Sequence, residues 1–353
     1  MRRAGQSNRR SSFPGTIRER DRADRIAEFM TSVFKVSDPY QRVGNTLTAR
    51  ELLDKAAKEI DTSLANDPEL HARMMHVMGK AYEGLGEYPA AELLFQRSAK
   101  VSTSAVGPEN PETLKTMSDL SETLFFEGRF SEAETLQRKL LAIQQRVLGR
   151  DSQDVQSTMG SLAITLAELG NHEEAEKLLR ETVEMRKRTL APDAFYTLAA
   201  MDNLSVILAR NGKLEEAEKI ERQTLDIQFR VYGQENLGTI SSLINMGDIE
   251  RDLGHYEEAE KYYRQALDIE GRVLGPNQPE TTNTSYSLAC LLVKRGQTDE
   301  ALSLIHQAVD HGLEPVVALD MEKDPCFLSL RRDPRFIALV TYAKERAAAQ
   351  RAN

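Results

Sequence analysis

The chain has 353 residues, 40% hydrophobic and 29% charged, with 20 glycines, 12 prolines, no tryptophan and a net charge of −9. This composition favours a helix-rich fold with a large core and disfavours general nucleic-acid binding. No run approaches the roughly 18 apolar residues that a membrane helix needs. Two cysteines, Cys290 and Cys326, make neither a disulfide framework nor a metal knuckle.

Residues 1–16 read as a basic disordered tail. The first 25 residues carry eight arginines against Glu19, Asp21 and Asp24. The "RRSS" of Arg9 to Ser12 matches a weak basophilic-kinase pattern. No apolar signal-peptide core follows, so the chain is expected in the cytoplasm. Residues 17–69 are expected to hold an N-terminal helix and then a partial repeat, in which "ELLDKAAKEIDTSL" is the second helix of an incomplete unit.

Residues 70–315 repeat. The phrases "LGEYPAAELLF", "EGRFSEAETLQ", "LGNHEEAEKLL", "NGKLEEAEKIE", "LGHYEEAEKYY" and "RGQTDEALSLI" return every 42 residues. Their glycines are Gly86, Gly128, Gly170, Gly212, Gly254 and Gly296, and their alanines run from Ala91 to Ala301 on the same step. Seven residues before each glycine stands a small residue: Gly79, Ser121, Ala163, Ser205, Gly247 or Ala289. A glycine suits a left-handed helix end, and glutamates suit the positive start of the next helix. Small residues let the two helices approach closely. Each period is therefore a helical hairpin, and one hairpin cannot bury its own apolar face, so hairpins stack. Breakers such as "GPENPET" and "GPNQPET" join successive units. Two departures look tolerable: Glu250 at an apolar position, and Pro192-Asp193-Ala194 in place of a glycine-containing linker. Residues 316–353 read as a C-terminal helical cap, in which "DPCFLSLRRDPRFIALV" covers the last apolar face.

The Leu-small pair, the helix-ending glycine, the aromatic-x-x-Ala step (Tyr256 to Ala259, Tyr88 to Ala91) and the "LGP…PET" linkers resemble the tetratricopeptide repeat in its 42-residue kinesin-light-chain form. That resemblance implies an all-α right-handed α-solenoid of six full hairpins. Three further motifs are "F-x-x-x-x-F-x-V-S-D-P" (Phe29 to Pro39), "G-N-T-x-T-A-R-E-x-L-D" (Gly44 to Asp54) and "D-P-E-x-x-A-R" (Asp67 to Arg73). They are similar to the C-terminal repeat region of bacterial serine/threonine protein kinases. The kinase domain itself has no counterpart here: the glycine-rich loop, strand lysine, "HRD" and "DFG" are all missing, and "ERD" at Glu19 to Asp21 lacks their context.

No catalytic residue, metal site or cofactor is expected. "GNHEEAE" lacks a second histidine on the same helix face, and His172 sits at the hairpin slot that Tyr88, Phe130, Leu214 and Tyr256 fill elsewhere. His306 and His311 diverge by about 140° around a helix. Cys290 is read as an ordinary small residue facing the groove or its edge, and the EEAE carboxylates as a solvated face. "MGKAYEGLG" is no phosphate loop.

Function is expected instead on the first helices of the repeats, which in this family line a concave groove. Asn203 and Asn245 stand at matching places in adjacent repeats. Their amides offer both donors and acceptors, which suits clamping the backbone of an extended peptide. Asn283, Arg210, Arg251, Tyr286 and Phe125 add charge and shape on the same face. The expected function is a non-enzymatic scaffold binding a protein or peptide partner. The alternative is a regulatory or sensory region acting beside a serine/threonine kinase. Partner identity and oligomeric state are not legible at this level.

Overall fold

A computed structural model describes Arg22, Ala27 and residues 48–352. The basic tail, the "ERD" triplet and the motif from Phe29 to Pro39 lie outside the described residues, as does the start of the motif from Gly44. The described residues contain fifteen α-helices and no strand. The chain forms two compact units, Met1–Thr165 and Leu166–Asn353, divided within one helix.

The first unit holds α1 (Ala49–Ser63), α2 (Pro68–Gly84), α3 (Tyr88–Val106), α4 (Pro111–Phe126), α5 (Phe130–Leu148) and most of α6 (Gln153–Glu168). Thr48 and Glu51 start α1 by a capping box, each accepting from the other's backbone N–H. Ala56, Ile60 and Leu64 of this segment share a core with Leu70, Met74 and Met75 of α2. The second unit holds α7 (His172–Thr189), α8 (Phe195–Arg210), α9 (Leu214–Val231), α10 (Leu237–Leu253), α11 (Tyr256–Val273), α12 (Pro279–Lys294) and α13 (Thr298–Asp310). It closes with α14 (Pro315–Asp320), two 3-10 turns and α15 (Pro334–Ala352).

Each 42-residue period is one hairpin. Gly254 ends α10 at φ 87°, where a side chain would strain, and the His255 N–H donates back to the Glu250 carbonyl at 2.8 Å. The close approach of paired helices is bought by matched sizes. Gly79 faces the fully buried Phe95 ring, and Gly247 faces Tyr263; a Cβ on either glycine would lie under 3 Å from ring carbons. In the sixth hairpin the same two positions are Ala289 and Ile305, both buried in one core. The linkers hold by a recurring bond from a threonine hydroxyl to the carbonyl six residues back: Thr113 to Gly107, Thr239 to Gly233, Thr281 to Gly275. Thr197 makes the same bond to Ala191 at 2.7 Å, so the proline-containing linker keeps the geometry without its glycine.

The EEAE carboxylates are not uniformly solvated, and this corrects the sequence reading. In three hairpins the last member ties the hairpin to its successor. Glu176 is buried and accepts from Lys213 Nζ at 2.8 Å, Asn211 Nδ2 at 2.7 Å and Arg180 Nε at 3.0 Å. Glu92 holds Arg129 in the first unit, and Glu260 holds Arg295 in the second. Glu250 is buried yet paired, accepting from Arg222 at 3.0 Å and hydrogen-bonded to His255 Nδ1 at 2.7 Å, which is why a carboxylate is tolerated there.

The C-terminal segment packs Ala318, Met321, Phe327, Phe336 and Val340 against the core of α12 and α13. Here the reading of the cysteines is also corrected. Cys290 is buried and bonded to Cys326, with Cα atoms 5.4 Å apart. Cys290 thus serves the cap core instead of a groove.

Candidate functional site

In the second unit, α8, α9 and α10 surround a pocket of about 440 Å³. Its walls come from three helices because a first helix, its partner and the next first helix meet at every repeat junction. Asn203 and Asn245, one repeat apart, both line it. Both are half-buried. Asn245 Nδ2 makes one long bond to Glu221 Oε1 at 3.4 Å. Phe195 and Leu237 stand at the rim and are at least half exposed.

The wall behind the amides is acidic and buried. Asp202 is 9% exposed and Glu221 is fully buried. Asp202 accepts from Ser242 Oγ at 2.7 Å and Gln228 Nε2 at 3.0 Å. Ser205 Oγ donates to Glu221. Burial pushes the Asp202 carboxyl up to about 6, against the hydrogen bonds that favour its charge. Burial pushes Glu221 well above the carboxylate range, and the neighbouring Asp202 charge pushes it further. Burial thus opposes charge on both carboxyls, most strongly on Glu221. Among the described residues no cation pairs with either group. Gln228, 3% exposed, lines the pocket with its Oε1 buried and without a partner.

This junction departs from its equivalents. Two periods earlier and one period later in the sequence, the corresponding polar contact is a single bond: Thr158 Oγ1 to Gln144 Oε1 at 2.7 Å in the first unit, and Thr284 Oγ1 to Glu270 Oε1 at 3.2 Å in the second. Only around Asp202 does a second carboxyl join. Sequence reasoning passed over Asp202, Glu221 and Gln228. A signal was available for Glu221, which stands where four other repeats carry Phe95, Leu179, Tyr263 or Ile305 and one carries Gln137. A glutamate in an apolar register must be neutralised or paired.

The other sequence-selected residues lie outside this pocket. Arg210, exposed at the end of α8, donates to Glu168 at 2.7 Å. Arg251 is held by Asp248, Asp252 and the Tyr263 hydroxyl. Asn283 on α12 has a buried Oδ1 without a partner. Tyr286 donates to Asp324 at 2.8 Å and meets Phe327 edge-on, so it anchors the C-terminal segment. Phe125 belongs to the first unit, where it packs with Phe126 and Phe130 beside a smaller pocket of about 150 Å³. His172 starts α7 half-buried, with Nδ1 buried and without a partner, at the hairpin slot its register predicts.

The tetratricopeptide repeat profile matches residues 71–146, 112–188, 154–229, 196–270 and 238–311. No curated protein matches the sequence. Solved structures share the fold at low identity. The kinesin-light-chain TPR-like repeats of Podosopora anserina are 22% identical, covering 59% of this chain and 97% of that one, with a TM-score of 0.52. The quorum sensor NprR of B. thuringiensis, in its apo form, is 16% identical over 92% of this chain and 80% of its own, with a TM-score of 0.56. NprR in complex with its cognate peptide NprX aligns at 15% identity over 92% of this chain and 83% of its own, also at 0.56.

Proposed function

Since the chain belongs to the tetratricopeptide repeat family, we propose that it is a non-enzymatic scaffold binding a peptide or an extended segment of a protein partner along the first helices of its hairpins. The observation that carries this reading is the pocket where Asn203 and Asn245 stand one repeat apart beside the exposed Phe195 and Leu237. An extended peptide presents a backbone amide every 3.2–3.4 Å, and side-chain amides can pair with it whatever its sequence. Exposed apolar groups next to those amides take up the ligand's side chains. NprR, solved with a peptide, supports the reading by fold alone.

The test is capture of partners by the full chain, compared with an Asn203→Ala/Asn245→Ala double variant whose circular dichroism shows intact helices. Loss of the captured partner in the variant is expected. Unchanged capture moves binding elsewhere. The regulatory variant of this reading, with the peptide as a signal passed to a serine/threonine kinase, rests on the motifs between Phe29 and Arg73. Repeated co-purification of such a kinase supports it, and repeated failure counts against it.

A further inference from the structure

We propose that the pocket between α8, α9 and α10 is a receptor for a cationic side chain, the ammonium of lysine or guanidinium of arginine, seated against Asp202 and Gln228. This rests on the peptide-binding reading and adds the chemistry the site selects.

Among the described residues no cation answers the buried Asp202 and Glu221 carboxyls. Elsewhere in the same unit the buried Glu176 and Glu250 are met by Lys213, Arg180, Arg222 and His255, while the buried Glu270 carboxyl accepts from Thr284 and is pushed up to about 7 by burial. A charge left alone away from water is costly, and it persists where a ligand supplies the counter-charge. The second pointer is independent of charge. Gln228 is almost wholly buried in the pocket wall, and its Oε1 accepts from nothing. That oxygen and the Asp202 carboxylate are both acceptors, and Gln228 Nε2 donates to Asp202, which keeps the two acceptors side by side. Only a multiple donor satisfies both: an ammonium has three N–H groups and a guanidinium five.

The rest of the wall fits the stem of such a group. Leu198, Val206 and Leu237 offer apolar surface to methylenes, while the Phe195 and Tyr232 rings attract a cation. An anionic side chain is repelled. A neutral side chain of equal length fills the sleeve but leaves two buried acceptors unpaired, the kind of mismatch that discriminates strongly.

The test uses the full chain and bead-bound decapeptide pools. Each pool is fixed at its centre as lysine, arginine, norleucine or glutamate and is degenerate elsewhere over residues other than Lys, Arg, His and Cys. The lysine and arginine pools should be retained at least tenfold better than norleucine or glutamate. Asp202→Asn should bring lysine down to the norleucine level and leave the norleucine pool unchanged. The Asn203→Ala/Asn245→Ala variant should weaken all pools alike. Ser241→Lys, on the pocket wall, supplies a tethered ammonium and should also erase the preference, which keeps the test alive if Asp202→Asn folds poorly. Equal retention of all four pools overturns the cation site while peptide binding stands. If no pool is retained, peptide binding falls, and titration calorimetry with cadaverine decides the pocket. Saturable binding lost in Asp202→Asn assigns it to a free amine; no binding overturns the proposal.

Discussion

Replacing Gly79 by alanine drives a methyl group into the Phe95 ring. The added Cβ would lie 2.6, 2.8 and 3.0 Å from three ring carbons, whereas carbon atoms rest at about 3.5–4.0 Å. The ring would have to retreat by about 1 Å. It is fully buried, in one core with Ala91, Leu94, Met75 and Met78, so nothing yields easily. Overpacking of this kind costs about 1–3 kcal/mol, and the better helix propensity of alanine returns about 1 kcal/mol. The expected net loss is about 0–2 kcal/mol, felt by α2 and α3. Phe95→Ile alone leaves a cavity and costs about 1–3 kcal/mol. Together the two changes recreate the Ala289 and Ile305 combination of the sixth hairpin. The double variant should therefore be at least as stable as the better single variant, a favourable coupling of about 2 kcal/mol. Repeat arrays need not unfold in one step, so the readout is hydrogen exchange of the α2 and α3 amides, resolved by mass spectrometry. A double variant whose losses simply add would refute the size-matching account.

Asp202→Asn should raise stability at pH 8 by about 1–3 kcal/mol and change it little at pH 4. The sign follows from the raised Asp202 pKa: the folded state holds its proton longer, so the parent's stability falls as pH rises from about 4 toward 6. Melting temperatures across that range check it, and a parent that gains stability over the interval contradicts the assignment. Glu176 behaves oppositely. Burial would raise it, but the hydrogen bonds from Lys213, Asn211 and Arg180 prevail and hold it at about 2. Its contribution is present above about pH 4.5 and is lost as pH falls toward 2. Glu176→Gln should cost about 1 kcal/mol at pH 7, discounted for its half-exposed partners, and that cost should vanish in acid-unfolding experiments near pH 2. Cys326→Ser removes a link that spans 36 residues. By loop closure this lowers the stability of the C-terminal segment by up to about 4 kcal/mol, read as early deuteration of α15 in the absence of reductant.

The six-hairpin periodicity was legible in the sequence because it is written in short-range terms. A glycine at each helix end, glutamates at each helix start and a small residue opposite a large one act within about twenty residues of each other, and each recurs at a step of 42. The same register placed His172 at a hairpin slot and brought Asn203 and Asn245 to one pocket. Other choices on the same face fared differently. Tyr286 and Arg251 have the right register, but other side chains already engage them: the distant Asp324 in one case, Asp248, Asp252 and Tyr263 of the same hairpin in the other.

What only the tertiary structure decided is which polar groups meet. Asp202, Glu221 and Gln228 come from the two helices of one hairpin and are closed off by Ser242 of the next, and Cys290 meets Cys326 across 36 residues. A repeat pattern reports what neighbouring residues must do to form a hairpin. The energy of a buried charge depends on what lies opposite it, and that is set by how one hairpin stacks on the next.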